Sequence, residues 1–194
     1  MDSGLQRCVL LRHGDTAWSR SGRHTGRTDL PLLPEGEEQV IVQRPRLAAY
    51  SFSLILTSPL SRARRTCELA GLQESVEVDP DLLEWDYGAY EGRRTIDIRE
   101  ERPGWNLFDD GAPDGERAAD VGARVDRVIA RVRAEPGDVA CVAHAHVLRV
   151  LAARWVGLDA TGGRYFVLGP AAVSVLGWER ERPVVRHWNG TPYW

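Results

Sequence analysis

The chain has 194 residues, of which 43% are hydrophobic and 27% charged, and its formal net charge is -3. This size and balance predict one soluble domain spanning residues 1–194, and they exclude the strongly basic surface typical of proteins that bind nucleic acid or anionic membranes. All 25 residues counted as Lys or Arg are arginine, which excludes chemistry that needs a lysine, such as a Schiff base or a P-loop.

The cysteines and the hydropathy pattern indicate a cellular compartment. Cys8, Cys67 and Cys141 have no paired spacing, which predicts reduced, buried thiols in a cytosolic protein. No apolar run approaches the ~18 residues of a membrane span, and no charged leader precedes the first apolar segment. We therefore expect a cytoplasmic protein with no membrane partner.

Short apolar segments alternate with helical segments along the chain. Apolar runs predict strands at residues 7–12, 54–57, 76–78 and 139–143, followed by two more at 171–178 and 183–188. Helices are predicted at residues 34–49, where Pro45 should kink or shorten the helix, from N-cap Ser58 to 69, at 95–101, at 121–132 and at 147–157. Residues 19–33 and 103–115 are predicted to be loops.

Strands that are apolar throughout, alternating with helices, are typical of a mostly parallel sheet covered on both faces. We therefore predict an α/β fold, a three-layer sandwich with a mostly parallel central sheet and helices on both faces. Ligands bind such sheets at the carboxyl ends of the strands. His13, Ser58 and His144 each follow a predicted strand, so they are expected to share one crevice.

Three segments carry residue types that suit an anion site with acid–base chemistry. Arg12-His13-Gly14 at the end of the first strand predicts an anion site with a nucleophile or base, where Gly14 would let the backbone approach a ligand. Arg62 adds positive charge near the start of a helix, which already favours anions. Glu84 lies among aromatic residues, where desolvation can favour a protonated carboxyl group that acts as a general acid. An acidic loop with aromatic packing is the alternative for this last stretch, and composition by itself favours it.

Together these segments resemble the histidine phosphatase superfamily, the phosphoglycerate-mutase-like proteins. Four motifs match in the family's order over essentially the whole chain: Arg12-His13-Gly14 with Thr16, residues 57–63 with Thr66, Glu84 with Tyr87 and Gly88, and Val142-Ala143-His144 with Arg149. Trp18-Ser19, residues 84–92 and the pair His144 and His146 are similar to the branch of small acid phosphatases and sedoheptulose-bisphosphatase-like enzymes.

The resemblance implies a metal-independent phosphatase that uses no cofactor and acts on small phosphomonoesters, such as sugar phosphates or related metabolites. His13 would form a phosphohistidine and Glu84 would act as the general acid. Positive charge and hydrogen bonds around the phosphoryl oxygens would come from Arg12, Arg62 and His144. Contacts to the substrate are implied for Ser19, Thr25, Gly26, Tyr87 and Ala145, whereas His24 is either a further contact or an exposed loop histidine.

The chain departs from the family pattern at several positions. Ser19 stands where many relatives carry asparagine. Ala145 replaces the usual glycine after the second histidine, and it would be strained if that position required a glycine-only φ. The phosphoglycerate mutases have a basic lid containing a lysine and paired arginines. Here residues 103–115 are short and acidic, which disfavours mutase activity.

Other functions remain open from the sequence. A phosphoglycerate-mutase-type phosphoryl transfer would deliver the phosphoryl group to a second metabolite instead of water. A metal hydrolase could use His144 and His146, because alternating histidines can ligate a metal at a strand end. A catalytically weak binding or regulatory homologue is motivated by Ala145.

The oligomeric state is a further open question. The aromatic C-terminal segment, with Trp178, Trp188 and Trp194, would serve either as a homodimer interface or as core packing for the last two strands.

Overall fold

A computed structural model describes residues 6–192, and a six-stranded sheet forms its centre. The strands are β1 (Cys8–Arg12), β2 (Phe52–Thr57), β3 (Val76–Val78), β4 (Asp138–Ala143), β5 (Val173–Glu179) and β6 (Arg182–Gly190). They are arranged in the order β3-β2-β4-β1-β5-β6. The first four strands are parallel to one another, and β5 and β6 extend the sheet with antiparallel pairs. The predicted α/β fold with a mostly parallel sheet is confirmed.

Eight helices connect and cover these strands in the described part of the chain. They are α1 (Ala17–Arg20), α2 (Pro34–Ile41), α3 (Arg44–Leu47), α4 (Ser61–Ala70), α5 (Thr95–Glu101), α6 (Leu107–Asp110), α7 (Ala118–Ala134) and α8 (Ala145–Trp155). Short 3-10 turns lie at Pro80–Leu82, Gly88–Tyr90 and Ala160–Tyr165.

The side chains of β1 alternate between two hydrophobic clusters. Cys8 and Leu10 pack with residues of α7 and α8 on one face of the sheet. Val9 and Leu11 pack with residues of α2, α3 and α4 on the other face. Helices therefore cover both faces, which explains why the central strands are apolar throughout.

Several predicted helix boundaries are corrected by the structure. The helix expected at residues 34–49 is divided into α2 and α3, with Pro45 in the first turn of α3, where its missing N–H costs no hydrogen bond. Ser58 is not an N-cap, because α4 begins at Ser61 after Leu60.

The two predicted loops each contain a short helix. Residues 19–33 begin inside α1, which a reciprocal pair of hydrogen bonds between Thr16 and Ser19 stabilises. Within residues 103–115 the Asn106 side chain accepts a hydrogen bond from the Phe108 N–H and starts α6.

The C-terminal tryptophans that are described pack against the core. The Trp178 ring lies 5.5 Å from that of Trp155, and the Trp188 ring lies 5.0 Å from that of Phe166. Trp194 lies outside the described residues. Core packing therefore accounts for Trp178 and Trp188, and the homodimer stays a prediction.

The sequence predicted buried, reduced cysteines and no membrane-spanning segment. All three cysteines are buried and none forms a disulfide. Among residues 6–192, no helix has the length and apolar character needed to cross a membrane.

Candidate active site

The ends of β1 and β4 bring two histidines together. The two strands are parallel neighbours, with Arg12 opposite Ala143, so the residues that follow them emerge at the same edge of the sheet. The His13 N–H donates to the Ala143 carbonyl at 3.0 Å. The His13 and His144 rings then meet edge to face, with 5.1 Å between their centroids. Both are almost completely buried.

One tautomer of His13 fits its hydrogen bond. Nδ1 lies 2.7 Å from the Gly14 carbonyl oxygen, which can only accept, so the proton is on Nδ1 and Nε2 carries the lone pair. Burial lowers the pKa of His13 well below its ordinary value, and the charges of Arg62 and Arg12 lower it further. The ring is therefore neutral near pH 7 and has a free nitrogen that can act as a nucleophile or a base.

Gly14 has a different role from the one expected from the sequence. A Cβ at this position would lie 2.1 Å from the Gly36 carbonyl oxygen. The glycine thus permits close contact with the backbone at the start of α2. The role predicted from the sequence was close approach to a ligand.

Arg62 connects His144 to the loop before α2. Its side chain is completely buried, and its Nε donates to Nδ1 of His144 at 3.2 Å. The other guanidinium nitrogens donate to the carbonyl groups of Thr25, Gly26 and Thr28, at 3.2, 3.1 and 2.9 Å. Arg62 thus anchors the loop and the second histidine together.

His144 has the opposite tautomer to His13. Because Nδ1 accepts from Arg62, the proton is on Nε2, which donates to the Ser58 hydroxyl oxygen at 2.7 Å. Burial lowers the pKa of His144 well below its ordinary value. Electrostatic interactions with Arg62, His13 and Arg12 lower it further. Ser58 therefore lies close to His13, as expected, but as a buried partner of His144.

One N–H group of Arg12 has no hydrogen-bond partner among the described residues. Its Nη1 donates to the Leu168 carbonyl at 2.5 Å, while its Nε is buried with no hydrogen-bond partner among the described residues. A buried, unsatisfied N–H of a cation is well suited to an anionic ligand.

Glu84 is held by backbone donors. Its Oε1 accepts hydrogen bonds from the N–H groups of Trp85 and Val147, both at 2.9 Å, and its Oε2 accepts one from His146 at 3.0 Å. Two of these donors belong to the first turn of α8, so the carboxyl group is fixed at the start of that helix. The sequence predicted aromatic surroundings for Glu84 but not its three backbone N–H donors.

A cavity of about 280 Å³ opens beside these groups. Among the residues predicted for the site, it is lined by Arg12, His13, Ser19, Thr25, Glu84, Tyr87 and Ala145. Arg62 and His144 are completely buried next to His13 and do not line this cavity, nor does Gly26. The Gly26 N–H is occupied by the Glu91 carboxylate, at 2.9 and 3.0 Å from its two oxygens.

Two of the positions where the chain departs from the family pattern have clear local structures. The Ser19 hydroxyl donates to Asp15 Oδ1 and accepts from the Thr16 N–H, both at 2.9 Å, so it belongs to the cap of α1 as well as to the cavity wall. Ala145 is the first residue of α8 and lies outside the left-handed region of φ. The strain that was considered for Ala145 is therefore absent.

The cavity continues into a lobe of about 170 Å³. The two spaces share His24, Thr95, His146 and Arg149, and the lobe extends to Trp105. His24 is not an exposed loop residue: its ring lies 4.7 Å from that of Tyr87 and 5.6 Å from that of Trp105, and burial lowers its pKa to about 4.

Some lining residues were not selected from the sequence. They are Gly22, Arg23, Thr95, Val167 and Leu168. Each lies in a loop or near the end of an element, without periodicity that would predict its direction, and the last two come from a distant part of the chain.

The proposed metal pair lacks the required geometry. Both ring nitrogens of His144 have partners in Arg62 and Ser58, and Nδ1 of His146 lies 2.6 Å from the Tyr87 hydroxyl. Within residues 6–192, no group of three or more His, Cys, Asp or Glu side chains is arranged to hold a metal ion.

Comparison with known proteins identifies the family. The model of the histidine phosphatase superfamily (branch 1) matches residues 8–191. The chain belongs to this superfamily. A sedoheptulose 1,7-bisphosphatase of Saccharomyces cerevisiae is 40% identical, over 81% of this chain and 70% of its own length. An acid phosphatase of Mycobacterium tuberculosis is 39% identical, over 89% of this chain and 87% of its own.

A solved structure supports the same assignment for this histidine phosphatase. The product of an open reading frame of Mycobacterium tuberculosis superposes with a TM-score of 0.92 and 36% identity, over 97% of this chain and 99% of that one. The resemblance to the superfamily and to its acid phosphatase and sedoheptulose-bisphosphatase-like members is confirmed.

Proposed function

We propose that this histidine phosphatase hydrolyses small phosphomonoesters through a phosphohistidine on His13, without a metal ion or cofactor. The observation that carries the proposal is the hydrogen bond from His13 Nδ1–H to the Gly14 carbonyl, which leaves Nε2 unprotonated in a cavity lined by Arg12 and Glu84. A neutral imidazole that already has its proton on the far nitrogen can attack phosphorus without first losing a proton.

In the first step, Nε2 of His13 forms a bond to phosphorus while the bond between phosphorus and the ester oxygen breaks. Glu84 gives its proton to the departing alkoxide. In the second step, water attacks the phosphohistidine, Glu84 takes the proton from that water, and inorganic phosphate leaves with His13 restored.

Positive charge in the site stabilises the phosphoryl group as it is transferred. Arg12 supplies its unsatisfied Nε–H, and the buried guanidinium of Arg62 lies behind His13, where its Nε donates to the neutral imidazole of His144. Arginine and histidine thus supply the electrostatic stabilisation that a metal ion provides in other phosphatases.

The cavity and the relatives favour a small, polar substrate, such as a sugar phosphate. The adjoining lobe offers arginines, histidines and Trp105, a set suited to a hydroxylated and charged molecule. The yeast relative is named as a sedoheptulose 1,7-bisphosphatase. A screen of inorganic phosphate release from sugar phosphates, glycerates and nucleotides tests the substrate class. Transfer to a second metabolite without phosphate release would instead favour the mutase alternative.

Replacing the nucleophile is the primary test. His13→Ala should lower phosphatase activity by roughly 10³-fold or more, because no other side chain can replace the attacking nitrogen. His187→Ala is the matched control, since His187 is exposed on β6. The phosphorylated protein should be trapped in wild type by quenching in alkaline denaturant, because phosphohistidine is hydrolysed in acid, and it should be absent from His13→Ala. A variant that keeps most of the wild-type rate would rule out His13 as the nucleophile.

The role of Glu84 is tested with leaving groups of different basicity. Glu84→Gln should slow hydrolysis of alkyl phosphates by roughly 10²-fold or more, because an alkoxide leaves only when protonated. Compared as kcat/KM, which reports phosphorylation of His13 and not the later attack of water, p-nitrophenyl phosphate should be affected much less, since the phenolate leaves without a proton. Equal losses for the two substrates would contradict the assignment of Glu84 as the general acid.

A further inference from the structure

His146 and Tyr87 form a polar contact inside an aromatic enclosure next to Glu84. The Tyr87 hydroxyl oxygen lies 2.6 Å from Nδ1 of His146. The same nitrogen lies 3.9 Å from Oε2 of Glu84. The His146 ring also packs near the rings of Trp85 and Phe108, at 6.4 and 5.6 Å between centroids.

The direction of this hydrogen bond follows from the tyrosine. Tyr87 is almost completely buried, and burial raises the pKa of its hydroxyl well above the ordinary value, with the charges of Glu84 and Glu91 acting in the same direction. The phenol therefore keeps its proton, and among the described residues Nδ1 of His146 is its hydrogen-bond partner. Tyr87 donates, Nδ1 accepts, and the proton of the neutral His146 ring is on Nε2.

The groups around His146 favour this neutral form. Burial lowers its pKa well below the ordinary value, and the charges of Arg149 on α8, His24 in the loop before α2, and Arg12 on β1 act in the same direction. Glu84 is the acidic group that faces the ring, and it already accepts the backbone N–H of His146 at 3.0 Å.

We propose that Tyr87 and His146 are positioning residues for Glu84: the Tyr87 hydroxyl occupies Nδ1 of His146 and so prevents a cation from forming beside the carboxyl group that protonates the leaving group. This inference rests on the proposed role of Glu84. The backbone of His146 fixes one carboxyl oxygen, while burial and the hydrogen bond from Tyr87 together keep its side chain neutral.

The consequence of losing this hydrogen bond follows from the 3.9 Å separation. An Nδ1 without the tyrosine proton can bind a proton of its own and pair with Oε2. Such an ion pair favours the carboxylate over the carboxylic acid, so that less of the enzyme carries the proton that the departing alkoxide needs. A cation at His146 would therefore affect substrates that need leaving-group protonation more than substrates that do not.

Tyr87→Phe tests the inference, because it removes the hydroxyl and keeps the ring. The kcat/KM for an alkyl phosphate should fall by roughly tenfold or more relative to the kcat/KM for p-nitrophenyl phosphate, because a lost substrate contact affects both substrates and only the alkoxide needs a proton. Adding His146→Phe removes the imidazole and preserves the aromatic packing and the backbone N–H. The double variant should regain alkyl phosphatase activity relative to Tyr87→Phe, whereas a purely structural role predicts a further loss.

Wild-type protein gives a second measurement that does not depend on how the variants fold. The ring nitrogens of His146, followed by ¹⁵N NMR near neutral pH, should report an unprotonated Nδ1 and a protonated Nε2. A charged ring or the opposite tautomer would overturn the inference, as would equal losses for both substrates in Tyr87→Phe or a double variant no better than the single one.

If Glu84→Gln itself shows no leaving-group dependence, the proposed role of Glu84 fails first. If Glu84→Gln shows that dependence and Tyr87→Phe does not, this inference alone fails.

Discussion

The ring nitrogens of His13 and His144 are fixed by different partners, which leads to a prediction about their titration. Burial and neighbouring arginines lower both pKa values well below the ordinary histidine value. A lowered pKa means that the neutral form persists as the pH falls and is lost only below that value. The ring ¹H and ¹⁵N resonances of both residues in the substrate-free protein should therefore stay in the neutral state well below about pH 6.5.

The same titration has a kinetic counterpart. If neutral His13 is the nucleophile, the acid limb of kcat/KM reports its protonation in the free enzyme and should lie well below about pH 6.5. The ionisation of the substrate phosphate must be measured separately and removed from the profile. A protonation step at the ordinary histidine value in either measurement would contradict the desolvated environment described for His13.

At the residue scale, the sequence predicted the residue types at the strand ends better than it predicted their partners. His13, His144 and Ser58 were expected in one crevice because each follows an apolar run; the structure brings the three side chains together, but of the three only His13 lines the cavity. Two of the three backbone donors that hold Glu84 come from α8, more than 60 positions later in the chain, and the third is the neighbouring Trp85 N–H. Which backbone N–H groups face a carboxyl group depends on tertiary packing, which local pattern does not encode.

The loop between α1 and α2 is held from two sides, so its order should depend on residues far away in the sequence. Arg62 donates to three of its carbonyl groups, and Glu91 accepts the N–H groups of Gly26 and Thr28, the latter at 3.1 Å. Glu91→Ala should leave two backbone donors without their partner and destabilise the loop by roughly 1–3 kcal/mol.

The loosened loop should change substrate binding more than chemistry. Thr25 lines the cavity while His13 and Glu84 lie on other elements, so Glu91→Ala should raise KM more than it lowers kcat. Limited proteolysis within residues 21–33 should become faster. Glu77→Ala is the matched control. It removes an exposed carboxylate on the edge strand β3, far from the loop, that pairs with Arg131 of α7. An unchanged KM and cleavage rate would show that Arg62 alone orders the loop.

At the element scale, the strands and long helices were predictable because their apolar patterns reflect burial. The helix at residues 95–101 agrees with α5, and the strand at 76–78 agrees with β3. A disruption of the helix near Pro45 was expected, and α2 and α3 are separate there, whereas the short helix α6 and the reversed direction of β5 and β6 were not predicted. Short helices depend on single capping bonds, and strand direction depends on pairings such as Leu11 with Val173, which are remote in the sequence.

For the whole molecule, the prediction of a sheet covered on both faces relied on a physical constraint: strands with no polar face cannot border solvent. The two hydrophobic clusters on opposite sides of β1 confirm that reasoning. The order of the strands could not be predicted from this constraint, because several orders bury the same apolar runs equally well. The adjacency of β1 and β4, which brings His13 next to His144, is seen only in the structure.

Buried neutral histidines should also make the stability of the molecule depend on pH. His13, His24, His144 and His146 all have lowered pKa values in the folded state. Below about pH 6.5 the unfolded chain binds protons that the folded chain does not, so the free energy of unfolding should fall as the pH decreases. His24, with a folded-state pKa of about 4, should contribute roughly 1 kcal/mol of this loss between about pH 7.5 and about pH 5.5.

Urea unfolding of wild type and His24→Phe at these two pH values measures the contribution of His24. Phenylalanine keeps an aromatic ring between Tyr87 and Trp105 and cannot bind a proton. The loss of stability on acidification should therefore be smaller in the variant by roughly 1 kcal/mol, whatever its stability near neutral pH. Carboxylates contribute little in this window, because they bind protons mainly near pH 4 or below. An identical pH dependence in both proteins would mean that His24 titrates in the folded state as it does in the unfolded chain.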